Sequence, residues 1–170
     1  MINAIVIEWK GPFNDPKSVD SNNMIYLITG NLPQGPKSIK IRYIGITKNK
    51  AQKRFDPNHV FNNIDEKDRK FWVGKIKYST MKNYSDSEWI LVYYLDQQKN
   101  SKIDLLNIRK KSKPKNSICL INRWFKSSDN AEYVNYKFPF DRIPDMIYWD
   151  NTKDVLLSSN KICVDFDPSH

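Results

Sequence analysis

The first half of the chain alternates between short apolar runs and clusters of Gly, Pro, Asn, Asp and Ser. The apolar runs are rich in β-branched and aromatic residues, as in INAIVIEW and FWVGKIKY. Runs of this kind, bounded by turn-forming residues, are typical of β-strands. The pattern predicts strands over residues 2–9, 24–29, 39–47 and 71–78. The second and third would form an antiparallel hairpin around a long turn that contains Gly and Pro.

A helical pattern replaces the strand pattern at residues 85–98. Ser85 and Glu88 have the S-x-x-E spacing of a capping box, in which two side chains satisfy the free amides of a first helical turn. A shorter, basic helix is predicted over residues 48–55, where good helix formers replace β-branched residues. The apolar stripe of the longer helix consists of Trp89, Leu91, Val92 and Leu95.

The second half of the chain is less regular. Residues 109–115 read as a basic loop that contains proline, and residues 118–125 are apolar again. Three short apolar pieces follow and are predicted to be strands or ordered coil packing on the body, namely 133–140, 146–149 and 154–157. Composition divides the chain into an N-terminal strand and loop (1–21), a central domain (22–128) with a basic insertion near residues 100–115, and an acidic C-terminal extension (129–170).

Charge is distributed unevenly along the chain. The net charge of +9 divides into +13 over residues 1–128 and −4 over residues 129–170. A basic body favours a polyanionic partner, because clustered Lys and Arg displace counterions from nucleic acid phosphates. A solvated, Lys-rich surface without a partner is the alternative explanation.

The cysteines and the apolar runs give an expectation for the cellular compartment of the protein. Cys119 and Cys163 are too few for a disulfide framework and lack the spacing of a zinc site. We therefore expect a reducing, cytoplasmic setting. No apolar run approaches the roughly 20 residues that a membrane helix needs, and the first residues lack the layout of a signal peptide.

An ordered series of polar residues lies on the predicted elements. In sequence order it consists of Met24-Ile25-Tyr26, Tyr43-Ile44-Gly45, Arg54, His59, Glu88 and Asn122. The series resembles that of the GIY-YIG nuclease family over roughly residues 22–125. The resemblance implies an α+β fold with a small, about three-stranded antiparallel sheet flanked by helices. This chain would add an N-terminal strand and a C-terminal extension to that fold.

The resemblance also implies how the residues divide the work of hydrolysing a phosphodiester bond. Tyr26 would be the phenolate-type base or the group that orients the attacking water, with Tyr43 as its partner. Arg54 would clamp the scissile phosphate, since its planar fork binds two oxygens at once. Glu88 would hold one Mg²⁺, which Mn²⁺ can replace. His59 completes the implied catalytic set.

Basic residues around these positions are predicted to contact the phosphate backbone, which positions a nuclease without reading sequence. They are Arg42, Lys48, Lys53, Lys110, Lys111, Lys113 and Arg123. Arg42 and Lys48, with Arg54, would also supply the positive field that a tyrosine base needs, since the ordinary pKa of tyrosine is about 10. Asn122 is expected to support the site indirectly or to fix a loop or helix end.

Two features depart from the family pattern or conflict with it. Met24 stands where the family has glycine, which would narrow the site if a substrate or a helix must approach there. Glu88 has two competing assignments, because a side chain that caps its helix is not available to a metal. Ser87 or Asp86 could cap the helix instead and leave Glu88 free.

The resemblance therefore implies a metal-dependent endonuclease, of restriction or phage type, acting on double-stranded DNA. One active site cuts one strand, so double-strand cleavage favours a homodimer or a larger assembly. Two alternatives remain open. One is a nucleic-acid-binding module that keeps the fold without the chemistry, and the other is an interaction protein whose acidic extension masks its basic body.

Overall fold

The computed structural model describes residues 2–15, 18–19, 22–34, 37–55, 59–77, 80–132 and 139–160. Within these residues, seven strands form one sheet in the order β3-β2-β4-β1-β5-β6-β7. The strands are β1 (Asn3–Phe13), β2 (Met24–Gly30), β3 (Lys40–Thr47), β4 (Lys70–Ile76), β5 (Ile118–Lys126), β6 (Met146–Asp150) and β7 (Val155–Ser159). The helical elements are α1 (Ala51–Arg54), α2 (Met81–Gln97) and two short 3₁₀ segments, Val60–Asn63 and Phe140–Arg142.

The sheet is larger than predicted, and the expectation of a small three-stranded sheet flanked by helices is wrong. Of the three expected strands, β2 lies in the middle and pairs antiparallel with both β3 and β4. Beyond them, β1 pairs antiparallel with β4 and parallel with β5, and β6 and β7 continue the sheet. The resemblance concerned one part of this sheet and held no information on how the flanking strands would join it.

Most predicted strands are present with shifted ends. The four predicted in the first half correspond to β1 to β4, and the apolar run 118–125 is β5. The pieces 146–149 and 154–157 are β6 and β7, whereas residues 133–138 of the piece 133–140 lie outside the described residues. The basic helix predicted over 48–55 is a single turn, α1. Local strand propensity thus predicted where the strands lie in the chain, but it did not predict their order in the sheet.

Helix α2 begins earlier than predicted. Its N-cap is Thr80, whose hydroxyl oxygen accepts a hydrogen bond from the amide of Asn83 at 3.3 Å. The amide of Ser85 lies beyond the first turn, where amides bond within the helix and need no cap. The predicted capping box of Ser85 and Glu88 is therefore wrong, and Glu88 has no capping role.

Apolar burial holds α2 against one face of the sheet. Ile90, Leu91, Val92 and Leu95 of the helix are fully buried, and they join residues of β1, β2 and β5 in one core cluster. In that cluster, Trp9 of β1 stacks on Trp124 of β5 with ring centroids 5.1 Å apart. A second, aromatic cluster around Tyr26 covers the opposite face at β2 and β4. As a result β2 is buried along its whole length.

All three segments that composition distinguished contribute strands to this sheet. β1 begins in segment 1–21, β2 to β5 lie in segment 22–128, and β6 and β7 lie in segment 129–170. Within the described ranges, no helix has both the length and the apolar character that crossing a membrane requires.

Asn122 joins two parts of the fold and lies away from the tyrosines. Its Oδ1 accepts a hydrogen bond from the Trp9 indole at 2.9 Å, and its Nδ2 donates to the carbonyl of Pro144 at 2.9 Å. β5, which carries Asn122, is three strands from β2 in the sheet, a distance of about 14 Å. Pro144 belongs to the loop before β6, so Asn122 fixes a loop, which is one of the roles expected of it.

Asn122→Ala should lower the free energy of unfolding by about 2–4 kcal/mol, because it leaves the Trp9 indole and the Pro144 carbonyl buried without partners. Urea denaturation would measure the change. Asn63→Ala, at an exposed position, is the matched control and should change stability by less than about 0.5 kcal/mol. An Asn122→Ala protein as stable as the wild type would contradict the linking role.

Candidate functional site

The β2–β3 hairpin places two tyrosines side by side. Tyr26 on β2 lies opposite Gly45 on β3, and Tyr43 precedes Gly45 by two residues, so both side chains project from the same face. Their ring centroids are 6.0 Å apart. A Cβ atom on Gly45 would lie 2.4 Å from the Tyr26 hydroxyl oxygen. The glycine of Tyr43-Ile44-Gly45 therefore provides the space in which the Tyr26 hydroxyl sits over the β3 backbone.

The Tyr26 hydroxyl is buried and accepts two hydrogen bonds. Arg54 donates one from Nε at 3.2 Å, and His59 Nε2 lies at 3.1 Å. Because His59 Nδ1 accepts the amide of Phe61 at 3.1 Å, the proton of a neutral His59 ring is on Nε2 and points to Tyr26. The proton of Tyr26 itself is then free to be donated, and the ring of Tyr43 lies beside it, with the centroids 6.0 Å apart.

Aromatic rings hold this network in place. Phe55, the residue after α1, meets the rings of Tyr26 and His59 edge-on, with centroids 5.0 and 5.2 Å away. His59 in turn meets the ring of Tyr43 edge-on at 5.4 Å. Phe61 and Phe71 pack against Phe55 and complete the cluster. His59 is only 7% exposed, so it is a buried partner of the tyrosines.

Burial dominates the electrostatics of both tyrosines. Burial raises the pKa of Tyr26, and Tyr43 and Glu88 raise it further against the opposing effect of Arg54. Burial likewise raises the pKa of Tyr43, with Arg54 again opposing and Glu88 adding to the rise. Partial burial lowers the pKa of Arg54, but the tyrosines and Glu88 raise it by more, so Arg54 remains charged. In the resting site, Tyr26 is therefore a neutral hydroxyl and not a phenolate.

The segment that follows α2 lies along the outer edge of β3. Ile103 forms a parallel bridge with Ile41, and backbone groups of residues 102–106 bond to β3. The carboxamide of Asn107 continues the pairing, because it accepts the amide of Ile44 at 3.0 Å and donates to the carbonyl of Ile44 at 2.7 Å. A side chain thus takes the place of a neighbouring strand and fixes the backbone next to Tyr43.

Arg42 points into this junction and away from solvent. Its side chain is 3% exposed and pairs with Asp104 of the segment along β3. Its Nε donates to the carbonyl of Gly30, at the end of β2, at 3.0 Å. The predictions that Arg42 contacts nucleic acid or charges the tyrosine site are wrong, because its guanidinium is committed to holding these three segments together.

Glu88 projects from the second turn of α2 into the same region as Tyr43 and Arg54. Its Oε2 is 2.5 Å from Lys110 Nζ. Lys110 Nζ also donates to the carbonyl and hydroxyl oxygens of Ser85, at 3.2 and 3.1 Å. Glu88 thus faces the tyrosines, as a metal ligand would, but it is paired with a lysine that the sequence assigned to phosphate contacts.

These elements meet in one open pocket. The lining residues are Tyr43, Arg54, His59, Val60, Glu88, Leu106, Asn107, Ile108, Arg109 and Lys110. Tyr26 is completely buried and lies behind Tyr43. Four of the five predicted catalytic residues therefore line a common pocket, and the fifth is in hydrogen-bond contact with two of them.

Met24, which stands where the GIY-YIG family has glycine, does not line this pocket. Met24 is fully buried at the start of β2, in a small cluster with Val19 and Val73. The concern that a large side chain would narrow the approach of a ligand therefore does not apply to the pocket that Tyr43 lines.

The donor set of the pocket fits one kind of metal site. Glu88 is the one carboxylate among its lining residues, and the described part of the chain contains no cluster of three or more His, Cys, Asp or Glu. Mg²⁺ needs no such cage, because it keeps several waters and binds through one or two carboxylates and substrate phosphates. A single Mg²⁺ held through Glu88 fits, on condition that Lys110 has left the carboxylate.

The predicted phosphate contacts outside the pocket have different surroundings. Lys48 and Lys53, on either side of the start of α1, are exposed. Lys111 is 40% exposed and pairs with Asp96 of α2 at 3.0 Å. Lys48 and Lys53 are therefore the predicted contacts that the geometry leaves most accessible to a phosphate near Arg54.

Two further predicted contacts pair with the acidic extension. Lys113 forms an ion pair with Asp154, and Arg123 on β5 forms one with Glu132 at 3.2 Å. Carboxylates of segment 129–170 thus neutralise part of the basic body, as the masking alternative requires. Both pairs are exposed to solvent, which screens their attraction and leaves them weak.

Sequence reasoning missed Asn107 and the partner of Lys110. No local pattern marks Asn107, because its role depends on a segment folding back against β3. Lys110 belongs to the run Arg109-Lys110-Lys111, in which charge alone does not show which cation turns inward.

Comparison with known proteins adds no assignment to this site. No family model, curated protein or solved structure matches the chain. The GIY-YIG resemblance therefore rests on the ordered residues and on the pocket that brings them together.

Gly45→Ala should destabilise the fold and disturb the tyrosine pair, since the added methyl would overlap the Tyr26 hydroxyl and lie 2.7 Å from the Tyr43 ring. We expect a loss of about 1–3 kcal/mol, measured by urea denaturation, with a change in near-ultraviolet circular dichroism. Lys48→Ala, just beyond the same strand and exposed, should leave both unchanged. Unaltered stability of Gly45→Ala would show that the Tyr26 ring does not need this space.

Proposed function

We propose that this chain is an endonuclease of the GIY-YIG type that hydrolyses phosphodiester bonds in DNA. One observation carries the proposal: Tyr43, Arg54, His59 and Glu88 come from separate elements and line one open pocket, with Tyr26 bonded behind them. The net charge of +9 supports a polyanionic substrate. A restriction-like or phage-type enzyme acting on double-stranded DNA is the specific form we propose.

Arg54 would bind the scissile phosphate. Its Nε holds Tyr26, so the terminal nitrogens of the guanidinium are the ones that can turn to two phosphate oxygens. Its position in a partly buried pocket strengthens such a contact, because the local dielectric is lower than in water. Lys48, Lys53 and Arg109, all exposed, would extend the positive surface along the nucleic acid backbone.

Tyr43 would contact the attacking water, because it lines the pocket and Tyr26 does not. Burial raises the pKa of Tyr43, and the positive charge of Arg54 opposes this effect and favours the phenolate. As a phenolate, Tyr43 takes a proton from the water while the water oxygen attacks phosphorus and the leaving oxygen departs. His59 already directs a proton at Tyr26, so it positions Tyr26 and does not accept the proton of the water.

Glu88 would hold one Mg²⁺, or Mn²⁺ in its place. When bound, such an ion supplies positive charge to the non-bridging and leaving oxygens of the phosphate. The chain itself contributes the carboxylate, which is 13% exposed in the pocket that Tyr43 and Arg54 line.

The proposal includes a reducing, cytoplasmic setting and a homodimer or larger assembly. Cys119 is a free, partly buried thiol, which suits reducing conditions. A single site cuts one strand at a time, so cleavage of both strands would bring two chains together on the DNA.

A second candidate is a DNA-binding module without chemistry. Two observations favour it: burial holds both tyrosines neutral, and Lys110 occupies the carboxylate that would bind a metal. Such a module would bind DNA in a salt-dependent way and would not cleave it under any metal.

Tyr43→Phe should lower the rate of Mg²⁺- or Mn²⁺-dependent plasmid nicking by about 10²–10⁴-fold, since it removes a group that takes a proton in the transition state. DNA affinity should be unchanged, because the hydroxyl does not contribute charge. Tyr148→Phe, on β6 and remote from the pocket, should cleave as the wild type does. Wild-type protein that nicks no DNA at low salt with either metal would overturn the proposal in favour of the binding module.

The cleavage rate should rise with pH across the range from about 6 to 9. Tyr43 acts in its deprotonated form and burial raises its pKa above the ordinary value of about 10, so the active fraction grows about tenfold per pH unit throughout this range. Single-turnover cleavage of an end-labelled duplex would give the profile. A plateau below pH 8 would assign the essential proton to a group other than Tyr43.

A further inference from the structure

Lys110 occupies the carboxylate that the proposed function assigns to a divalent cation. Its ammonium group donates to Glu88 Oε2 at 2.5 Å and to the carbonyl and hydroxyl oxygens of Ser85. These three acceptors use all three protons of an ammonium group. Lys110 therefore has no proton left for a phosphate in this arrangement, and its role differs from that of the exposed lysines.

The short loop that carries Lys110 is held at both ends and exposed between them. At one end, Asn107 is bonded to the backbone of β3. At the other, the Lys110 side chain is bonded to α2. Between these anchors, Ile108 is 94% exposed and Arg109 is exposed as well.

The backbone of Lys110 is strained. Its φ angle is +66°, in the left-handed region that a residue with a Cβ adopts at a cost. Such a conformation persists only where surrounding contacts impose it. The contacts that flank it are those of Asn107 with β3 and those of the ammonium group with Glu88 and Ser85.

We propose that Lys110 is an exchangeable counter-ion of Glu88, which a divalent cation must displace in order to bind. This inference rests on the proposed function, because it concerns the same carboxylate. Glu88 is 13% exposed, and a carboxylate buried to this degree is costly to leave without a positive partner. Lys110 satisfies it in the metal-free protein and the divalent cation satisfies it afterwards.

The two cations exclude each other for a simple electrostatic reason. An ammonium group 2.5 Å from Oε2 occupies the space in which a metal would contact that oxygen, and like charges at such distances repel strongly in a partly buried site. Displacement of Lys110 would let the loop of residues 108–110 relax at the pocket mouth. Metal binding and the conformation of this loop are therefore coupled.

Mn²⁺ binding, followed by electron paramagnetic resonance of the free ion, tests the exchange without any cleavage assay. Lys110→Met removes the competitor and should bind Mn²⁺ about tenfold more tightly than the wild type, because its binding-competent form is no longer a minor one. Lys111→Met is the matched control and should bind as the wild type does, and Glu88→Gln should abolish binding. Equal or weaker Mn²⁺ binding by Lys110→Met would overturn the proposal.

A second measurement uses the wild-type chain and does not depend on how well a variant folds. Lysine acetylation, quantified by mass spectrometry, should increase several-fold at Lys110 when Mn²⁺ saturates the protein, with Lys111 and Lys113 as internal references. Unchanged reactivity at Lys110 in saturating Mn²⁺ would show that the pair stays closed and would sink the exchange.

The outcome for exchange is separable from the outcome for cleavage. Tighter Mn²⁺ binding by Lys110→Met in a protein that nicks no DNA would support the exchange and overturn the endonuclease. DNA cleavage by the wild type in EDTA, without Mn²⁺ binding, would support a nuclease and overturn the exchange.

Discussion

The close approach of the Tyr26 hydroxyl to the backbone of β3 is the constraint on which the candidate site depends. It requires a residue without a side chain at Gly45 and places Arg54 and His59 on either side of one oxygen. Because that oxygen accepts hydrogen bonds from both residues, Tyr26 is held in one orientation beside Tyr43. The space left by Gly45 thus sets the orientation of Tyr26. Tyr26 is buried behind Tyr43 and would influence a ligand in the pocket only through its neighbours.

Opposing electrostatic effects meet in the pocket. Burial favours neutral tyrosines, whereas Arg54 favours their phenolates. Glu88 opposes the phenolates further, and its pairing with Lys110 places a positive charge beside that carboxylate. A divalent cation in place of Lys110 would add one more positive charge at the same point. The protonation of Tyr43 and the occupancy of Glu88 are therefore linked through charge, although the two side chains belong to different elements.

Local patterns predicted the parts of this structure that local interactions determine. The hairpin strands follow from strand propensity, and a basic helix was predicted where α1 lies, although over residues 48–55 and not as a single turn. The seven-stranded sheet does not, because the parallel pairing of β1 with β5 joins segments far apart in the chain and leaves no local mark. Arg42 and Lys110 were misassigned for a similar reason: a basic residue turns inward when a distant carboxylate, Asp104 or Glu88, lies within reach.

The central position of β1 in the sheet affects the order in which the strands can pair during folding. β1 precedes its parallel neighbour β5 in the chain, and β5 is complete only at Lys126. Until then one edge of β1 presents unpaired backbone groups, and Trp9 lacks both its stacking partner Trp124 and its acceptor Asn122. Non-local pairings of this kind are slow to form. The part of the sheet that carries the tyrosines, β3-β2-β4, therefore borders a strand whose own pairing is completed late.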